Sequence, residues 1–269
     1  MSQDHLDQSV ATPQPQSERV PRILDLDLDF FLYGVAGSRV PEDGRLDEDE
    51  YPPWPAEEVI EFLEHHLGLD RRLPGVAVED HVELFTCWRD AIDAGMLRPP
   101  FDVVHVDAHA DLGHGEPSWN YLLTELLHEE LATRRHPRQD DWRYMTSGNY
   151  LTFAIACRWL ASLTCVGHGS GRVGDVHQYV MEGRRLDADH IHLVPYPKDI
   201  GSKLLLAGRA SPLASHEPRV PFAKIGYESF RADGPFDAIY LARSPEFTPA
   251  SADEIYDLIT TRFIEGCDH

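Results

Sequence analysis

The chain has 269 residues, and its 46 acidic against 24 basic side chains give a formal net charge of −22. Because phosphate binding needs clustered Lys and Arg, this balance argues against a nucleic-acid partner and allows a cationic one. No apolar run reaches the roughly 20 residues of a membrane helix, and residues 1–20 lack the features of a secretory signal. The four cysteines form no CxxC pair, which indicates reduced thiols and predicts a cytoplasmic protein.

The apolar pattern predicts alternating strands and helices after a disordered tail at residues 1–20. Strands are expected, in chain order, at 22–30, 75–78, 101–106, 163–166, 191–195, 221–227 and 236–242. Helices are expected at 55–67, 81–94, 119–134, 149–163 and 251–263, with Ser251 as the cap of the last one. This order predicts one domain over residues 21–269, a three-layer α/β/α fold around a mainly parallel sheet.

Three predicted strand ends carry ionisable side chains. In sheets of this kind, ligands bind beyond the carboxyl ends of the strands, so the three ends are expected to share one site. The first holds Asp25, Asp27 and Asp29 in LDLDLDF, the second holds His81 in VAVEDH, and the third holds Asp107, His109 and Asp111 in VDAHAD.

These side chains predict a metal centre. Alternation along an extended strand places residues 107, 109 and 111 on one face, and like charges buried together need something to neutralise them. The six predicted ligands are oxygen-rich with two imidazoles, which suits Mn²⁺ and is enough for two ions roughly 3.5–4 Å apart. They are Asp27, Asp29, His81, Asp107, His109 and Asp111.

The three motifs resemble those of the arginase and agmatinase ureohydrolases. VDAHAD resembles the family's DAHxD signature, LDLDF is similar to its SxDxD strand, and EDH resembles its GGDH segment without the two glycines. The resemblance implies one Mn²⁺ held by His81, Asp107, Asp111 and Asp27, and a second held by Asp107, His109, Asp27 and Asp29. Asp25 stands where ureohydrolases carry a small residue, so we expect it to support the ligands and not to bind metal.

The motif order differs from that of an ordinary arginase, where the SxDxD strand follows DAHxD. This rearrangement, the DLDLDFF start and the late segment YLARSPEFTP resemble the divergent arginase-like family that includes peptide arginases. That resemblance implies hydrolysis of arginine side chains in a ribosomally made precursor peptide to ornithine and urea. In such a reaction an activated water attacks the guanidinium carbon, and Asp111 assists its proton transfer.

Substrate-binding residues follow from weaker matches. Ser147 and Asn149 lie in an SGN segment that resembles an arginase substrate loop, and a simple helix cap is the alternative. Glu246, after the strand at 236–242, is the candidate for the late glutamate that binds guanidinium in arginases, and a surface turn is its alternative.

The proton-shuttle residue is left open. The position of the ureohydrolase histidine is Leu151 here, so His114 and His168, each in a glycine-flanked loop, are the candidates, with ordinary loop histidines as the alternative. Three other functions also stay open: a ureohydrolase of free arginine or agmatine, a single-zinc amide hydrolase, and a non-catalytic peptide-binding module.

Overall fold

The computed structural model describes residues 19–37, 44–113, 117–168, 176–200 and 210–266. All but the last two residues of the predicted tail therefore lie outside the described part of the chain. The described strands are β1 (Arg22–Asp27), β2 (Leu73–Val78), β3 (Phe101–Asp107), β4 (Leu160–Gly167), β5 (His190–Ile191), β6 (Val220–Gly226), β7 (Ala238–Ala242) and β8 (Ile264–Glu265).

These eight strands form one sheet in the order β5-β6-β4-β3-β1-β7-β2-β8. Every pairing is parallel except the one between β5 and β6. The predicted fold class is confirmed: the protein is α/β, with helices packed on a mostly parallel sheet. β1 lies between β3 and β7. The chain runs from β1 to β2 on one side of β1 and then returns to β3 on the other side, and α/β proteins place their ligands at such a change of direction.

The α-helices are α1 (Ala56–Glu61), α2 (Glu83–Asp93), α3 (Ser118–Thr124), α4 (Leu131–Arg134), α5 (Tyr150–Ala156) and α6 (Asp253–Phe263). A π-helical turn, Phe62–His66, continues α1. In α2, Leu84, Phe85, Trp88 and Ala91 are buried, a spacing that places one face of the helix on the sheet. Within the described residues, no helix has both the length and the apolar character needed to span a bilayer.

Alternation along β1 and β3 separates two apolar cores. Leu24 and Leu26 of β1 belong to the core shared with α1 and α6, whereas Ile23 belongs to the core shared with α2 and α5. β3 repeats the pattern, with Val104 facing the first core and Val103 the second. Residues 25, 105 and 107 share the second face by the same alternation, so their charges lie on the side of the sheet covered by α2 and α5.

Several predicted boundaries were wrong for identifiable reasons. The helix predicted at 119–134 is interrupted by the 3₁₀ turn Leu126–His128, and the one predicted at 149–163 ends at Ala156 because its last residues enter β4. Ser251 does not cap α6: it lies inside a 3₁₀ turn, Ala250–Ala252, and its hydroxyl has no hydrogen-bond partner among the described residues.

Candidate metal centre

The carboxyl ends of β1 and β3 lie side by side and carry the charged cluster. The parallel register pairs Asp25 with His105 and Leu26 with Val106, so Asp27 and Asp107 both stand at the strand ends. His81 follows β2, which reaches the same edge of the sheet through its pairing with β7. The three motifs are therefore brought together as the sequence predicts.

The chain turns sharply at Asp27. Its Oδ1 accepts a hydrogen bond of 3.0 Å from the backbone N–H of Asp29, which starts a 3₁₀ turn over Leu28–Phe31. The strand predicted at 22–30 is thus wrong beyond Asp27. Asp29 reaches the site through this turn and not through strand alternation.

A second sharp turn follows Asp107. Its Oδ1 accepts a hydrogen bond of 2.6 Å from the backbone N–H of His109, and Asp111 has a left-handed φ of 48°. The extended backbone expected for residues 107–111 is therefore wrong, because β3 ends at Asp107. Non-glycine residues in this conformation are strained, and such strain concentrates at functional sites.

One set of donor atoms surrounds Nδ1 of His81, and we call it the His81 position. This nitrogen lies 2.9 Å from Oδ2 of Asp27, 3.2 Å from Oδ2 of Asp107 and 3.1 Å from Oδ2 of Asp111. All four side chains are buried. They are the four residues that the resemblance to ureohydrolases assigns to one ion.

A second set, the His109 position, lies beside the first. Nδ1 of His109 is 3.0 Å from Oδ2 of Asp29 and 3.6 Å from Oδ1 of Asp107. The other ring nitrogen, Nε2, is 2.9 Å from the carbonyl of Ala36, a contact that it makes as an N–H donor. The lone pair of Nδ1 then points at the carboxylates, and Asp107 belongs to both positions.

Three buried atoms at the centre have a polar neighbour but no hydrogen bond among the described residues. They are Nδ1 of His81, Nε2 of His105 and Oδ2 of Asp111. Buried polar atoms without a partner are rare in folded proteins, and a bound cation would satisfy all three. The buried Asp and His side chains thus form groups that can hold a metal ion.

The charges of the cluster are unbalanced without a cation. Burial, reinforced by the negative charges of Asp27 and Asp107, raises the pKa of Asp29 well above its usual range. Burial and the charge of Asp107 likewise raise the pKa of Asp111 to about 7. Burial opposes the ionisation of Asp107 too, but the neighbouring imidazoles of His109 and His81 keep its pKa well below the usual value.

Asp25 lies behind His81, on the side away from the other carboxylates. Its Oδ1 is 3.0 Å from Nε2 of His81, and its Oδ2 is 3.0 Å from Nδ1 of His105 and accepts a hydrogen bond from Tyr150. A carboxylate on the outer nitrogen of a metal-binding histidine fixes the ring and its tautomer. We interpret these contacts as support for His81 and His105, and the role of Asp25 stays a prediction.

Sequence reasoning missed His105, Tyr150 and Ser244. His105 is two residues before Asp107, so alternation alone could have placed it on the same face. Tyr150 comes from the first turn of α5, and its hydroxyl is also 3.0 Å from Nε2 of His81. No local pattern marks Tyr150, since its contact depends on how α5 packs.

Ser244 follows β7 and contacts Asp27, where the chain turns at the end of β1. Its hydroxyl donates a hydrogen bond of 2.6 Å to Oδ2 of Asp27, and its backbone has a left-handed φ of 46°. Its N–H donates to the carbonyl of Glu79, which ties the loop to the segment before His81. Ser244 therefore connects three strand ends at one point.

Glu246 lies two residues after Ser244, in a short 3₁₀ turn over Pro245–Phe247. The next residue, Phe247, packs against the ring of His109 with the centroids 5.4 Å apart. The carboxylate predicted to bind guanidinium is thus carried by a turn that contacts the His109 position through Phe247 and that follows Ser244, which contacts Asp27.

The SGN segment lies beside the turn after β3, because the N–H of Gly113 donates to the carbonyl of Gly148. Asn149 is buried in a capping box with Thr146, and its amide donates to Ser118 and to the carbonyl of Tyr144. Ser147 donates to the carboxylate of Asp80. The described contacts of Asn149 are those of the cap alternative, whereas Ser147 is directed toward the residue before His81.

Of the two shuttle candidates, the structure describes His168. His114 lies outside the described residues. His168 follows β4 and is buried among aromatic rings, stacked on Tyr227 at 6.2 Å and edge-on to Phe30 at 5.9 Å. Burial lowers the pKa of His168, which favours the neutral form of the ring. Leu151 is fully buried in α5.

Comparisons of the chain with family models, with curated proteins and with solved structures gave no match, so its assignment depends on the residues and geometry of this centre.

Proposed function

We propose that the protein is a dinuclear manganese hydrolase that converts arginine side chains of a ribosomally made peptide to ornithine, with release of urea. One observation carries the proposal. The two buried donor sets lie side by side and share Asp107, and they contain the six residues in which the sequence resembles ureohydrolases.

The donor chemistry supports two manganese ions. His81, Asp27, Asp107 and Asp111 would hold one ion, and His109 with Asp29, Asp107 and Asp27 the other. Carboxylate oxygens with a few imidazole nitrogens suit Mn²⁺, whereas structural zinc sites are typically rich in thiolates. When bound, such ions supply positive charge and lower the pKa of a water toward neutrality.

The protein's own groups would then position and protonate the reactants. Water adds to the guanidinium carbon, the bond from that carbon to the side-chain nitrogen breaks, and the products are urea and the ornithine amine. Asp111 would accept a hydrogen bond from the attacking water and pass its proton to the leaving amine. Glu246 would orient the guanidinium through a charge-assisted, two-point contact.

An acidic groove beside the centre supports a peptide substrate. The groove has a volume of about 530 Å³ and is lined by Asp80, Asp140 and Trp142, among others, and by Asp141, whose carboxylate is already paired with Arg143. Asp80 precedes the ligand His81 in the chain, and Trp142 is 68% exposed. Carboxylates and an open indole face attract cationic side chains, so a basic peptide could bind along this groove while one arginine reaches the centre.

The test compares substrates on one preparation. The Mn²⁺-loaded protein is incubated with an arginine-containing peptide, with free arginine and with agmatine, and urea is measured. We expect urea from the peptide only, with a peptide mass decrease equal to urea minus water for each arginine converted. Urea from free arginine or agmatine would instead identify a small-molecule ureohydrolase.

Two further outcomes would contradict the proposal. A protein that binds a single zinc ion and cleaves acylated amines would be an amide hydrolase. A protein that binds the peptide without metal and without urea release would be a binding module.

A further inference from the structure

The three buried or half-buried histidines of the centre share one arrangement. In each ring, one nitrogen has a polar partner and the other faces the carboxylates. For His81 the partner is Asp25, at 3.0 Å from Nε2, and for His109 it is the carbonyl of Ala36, at 2.9 Å from Nε2. His81 and His109 are both expected to bind metal through the remaining nitrogen, Nδ1.

His105 follows the same arrangement with its nitrogens exchanged. Its Nδ1 is 3.0 Å from Oδ2 of Asp25, and its Nε2 faces Oδ2 of Asp107 at 3.4 Å. The rings of His105 and His81 lie 5.5 Å apart with an angle of 26° between their planes. Asp25 thus holds the two imidazoles nearly parallel, each directed at the same oxygen of Asp107.

The inward nitrogen of His105 is one of the three unpartnered atoms at the centre. Its side chain is completely buried, and Nε2 makes no hydrogen bond within the described residues. A histidine that only supported Asp25 would need its Nδ1 alone, and burying Nε2 without a partner would then carry a cost in stability. His105, Asp107 and Asp111 also bring ligand atoms close enough together to hold one ion.

We therefore propose that His105 is a further nitrogen ligand at the His81 position, which binds its ion through two imidazoles and three carboxylates. This inference depends on the proposed metal centre but not on its action on arginine. A second imidazole shifts the preference of the position toward manganese, iron or cobalt and away from Mg²⁺.

The test uses His105→Asn, because an asparagine amide can occupy the place of Nδ1 and still donate to Asp25. Its matched control is His66→Asn, since Nδ1 of His66 also contacts an oxygen, the carbonyl of Tyr227 at 2.9 Å, outside the centre. Mn²⁺ binding is measured by calorimetry. We expect His105→Asn to weaken one of two binding events by at least the roughly 10- to 100-fold that loss of an outer partner causes, and His66→Asn to bind like wild type.

Wild-type affinity in a folded His105→Asn variant would overturn the inference, because the variant keeps the support of Asp25 and loses only Nε2. If the variant does not fold, a crystal structure of the Mn²⁺-loaded wild type decides. Anomalous scattering locates the ions, and Nε2 of His105 must lie within bonding distance of one of them. An ion at the His81 position that leaves His105 unbound would refute the inference.

The two proposals can fail separately. Metal bound through His105 without any urea release would refute the arginine reaction and leave the ligand assignment standing. Urea release together with unchanged Mn²⁺ binding in His105→Asn would refute only the ligand assignment. A protein that binds no Mn²⁺ would refute both.

Discussion

Asp25 and His105 are direct neighbours across the β1–β3 pairing, and Oδ2 of Asp25 lies 3.0 Å from Nδ1 of His105. Burial disfavours the charge of Asp25, but His81 and the hydrogen bond from His105 keep its pKa well below the usual value. The first of the three alternating aspartates is therefore an ionised anchor for two imidazoles, whereas Asp27 and Asp29 face the predicted ions.

We expect Tyr150→Phe to weaken the centre without changing its shape. The variant removes one hydrogen bond to a buried, charged carboxylate, which should lower the free energy of unfolding by roughly 1.5–3 kcal/mol. Mn²⁺ affinity should also fall, because Asp25 then holds His81 less firmly. Chemical denaturation and calorimetry measure the two effects.

The control for Tyr150→Phe is Tyr33→Phe, which removes an exposed hydroxyl bonded to Glu58 at 3.0 Å. A Tyr150→Phe variant as stable and as tight for Mn²⁺ as the Tyr33→Phe control would show that the buried hydroxyl has no supporting role.

The fold and most of the centre follow from local patterns. The apolar strands, with charges at their ends, predict a parallel sheet and bring Asp27, His81 and Asp107 together at one edge. Turns are harder to predict from such patterns. The alternation typical of a strand continues in the sequence after Asp27, but the side chain of Asp27 starts a 3₁₀ turn there. Tyr150 and Ser244 could not be found locally, since their contacts span 125 and 217 residues.

Asp107→Asn should abolish the reaction, because Asp107 belongs to both the His81 position and the His109 position. Loss of several kcal/mol of electrostatic stabilisation lowers kcat/KM by roughly 10³-fold or more. Urea release and bound manganese per chain are measured together. Asp102→Asn, at the other end of β3, is the control, because Asp102 accepts a hydrogen bond from Ser162 far from the centre. Retained urea release in Asp107→Asn would contradict the proposed mechanism.

The stability of the metal-free protein should fall as the pH rises from about 6.5 to about 9. Burial opposes the positive charge of His105, but its hydrogen bond to Asp25 and the charge of Asp107 raise its pKa from 6.5 to about 9. The folded state then binds more protons than the unfolded state in this window. The stabilisation is complete below pH 6.5 and is lost above it, on the order of 3 kcal/mol for this group.

The titration of His81 should also lower the stability of the metal-free protein as the pH rises. Its pKa is raised by Tyr150 and Asp25, although burial opposes the shift. Denaturation curves at several pH values, with a chelator and with saturating Mn²⁺, test this dependence. Bound cations replace the protons, so the decline should disappear when Mn²⁺ is present. A metal-free protein whose stability rises between pH 6.5 and 9 would contradict the charge assignment.

Two substitutions of Ser244 separate the effect of its backbone strain on stability from the effect of its hydrogen bond to Asp27. Both Ser244→Gly and Ser244→Ala lose the hydrogen bond to Asp27 and should bind Mn²⁺ more weakly. Only glycine adopts the left-handed conformation without strain, so Ser244→Gly should be more stable than Ser244→Ala by roughly 1–2 kcal/mol. Thermal denaturation of the pair gives this difference. Equal stability would mean that the loop relaxes away from φ 46° in the alanine variant.

The acidic groove should affect substrate binding and leave the chemistry intact. Trp142→Ala and Asp140→Asn remove groove-lining groups that belong to neither donor set, so we expect a higher KM for a basic peptide, by roughly 2- to 5-fold for one exposed cation–π contact, with unchanged kcat and metal content. The control is Trp142→Phe, which keeps an aromatic face. A fall in kcat without a change in KM would show that this surface does not bind the peptide.

The central place of β1 has a consequence for how the protein is made. β1 is complete once residue 27 has been synthesised, but its second sheet partner, Ala238–Ala242, is synthesised much later. Until then, a nascent chain would present one open strand edge beside buried carboxylates, the kind of surface that promotes aggregation. Ribosome-stalled chains that end before residue 238 should therefore depend on chaperones, whereas chains that include β7 can close the sheet around β1.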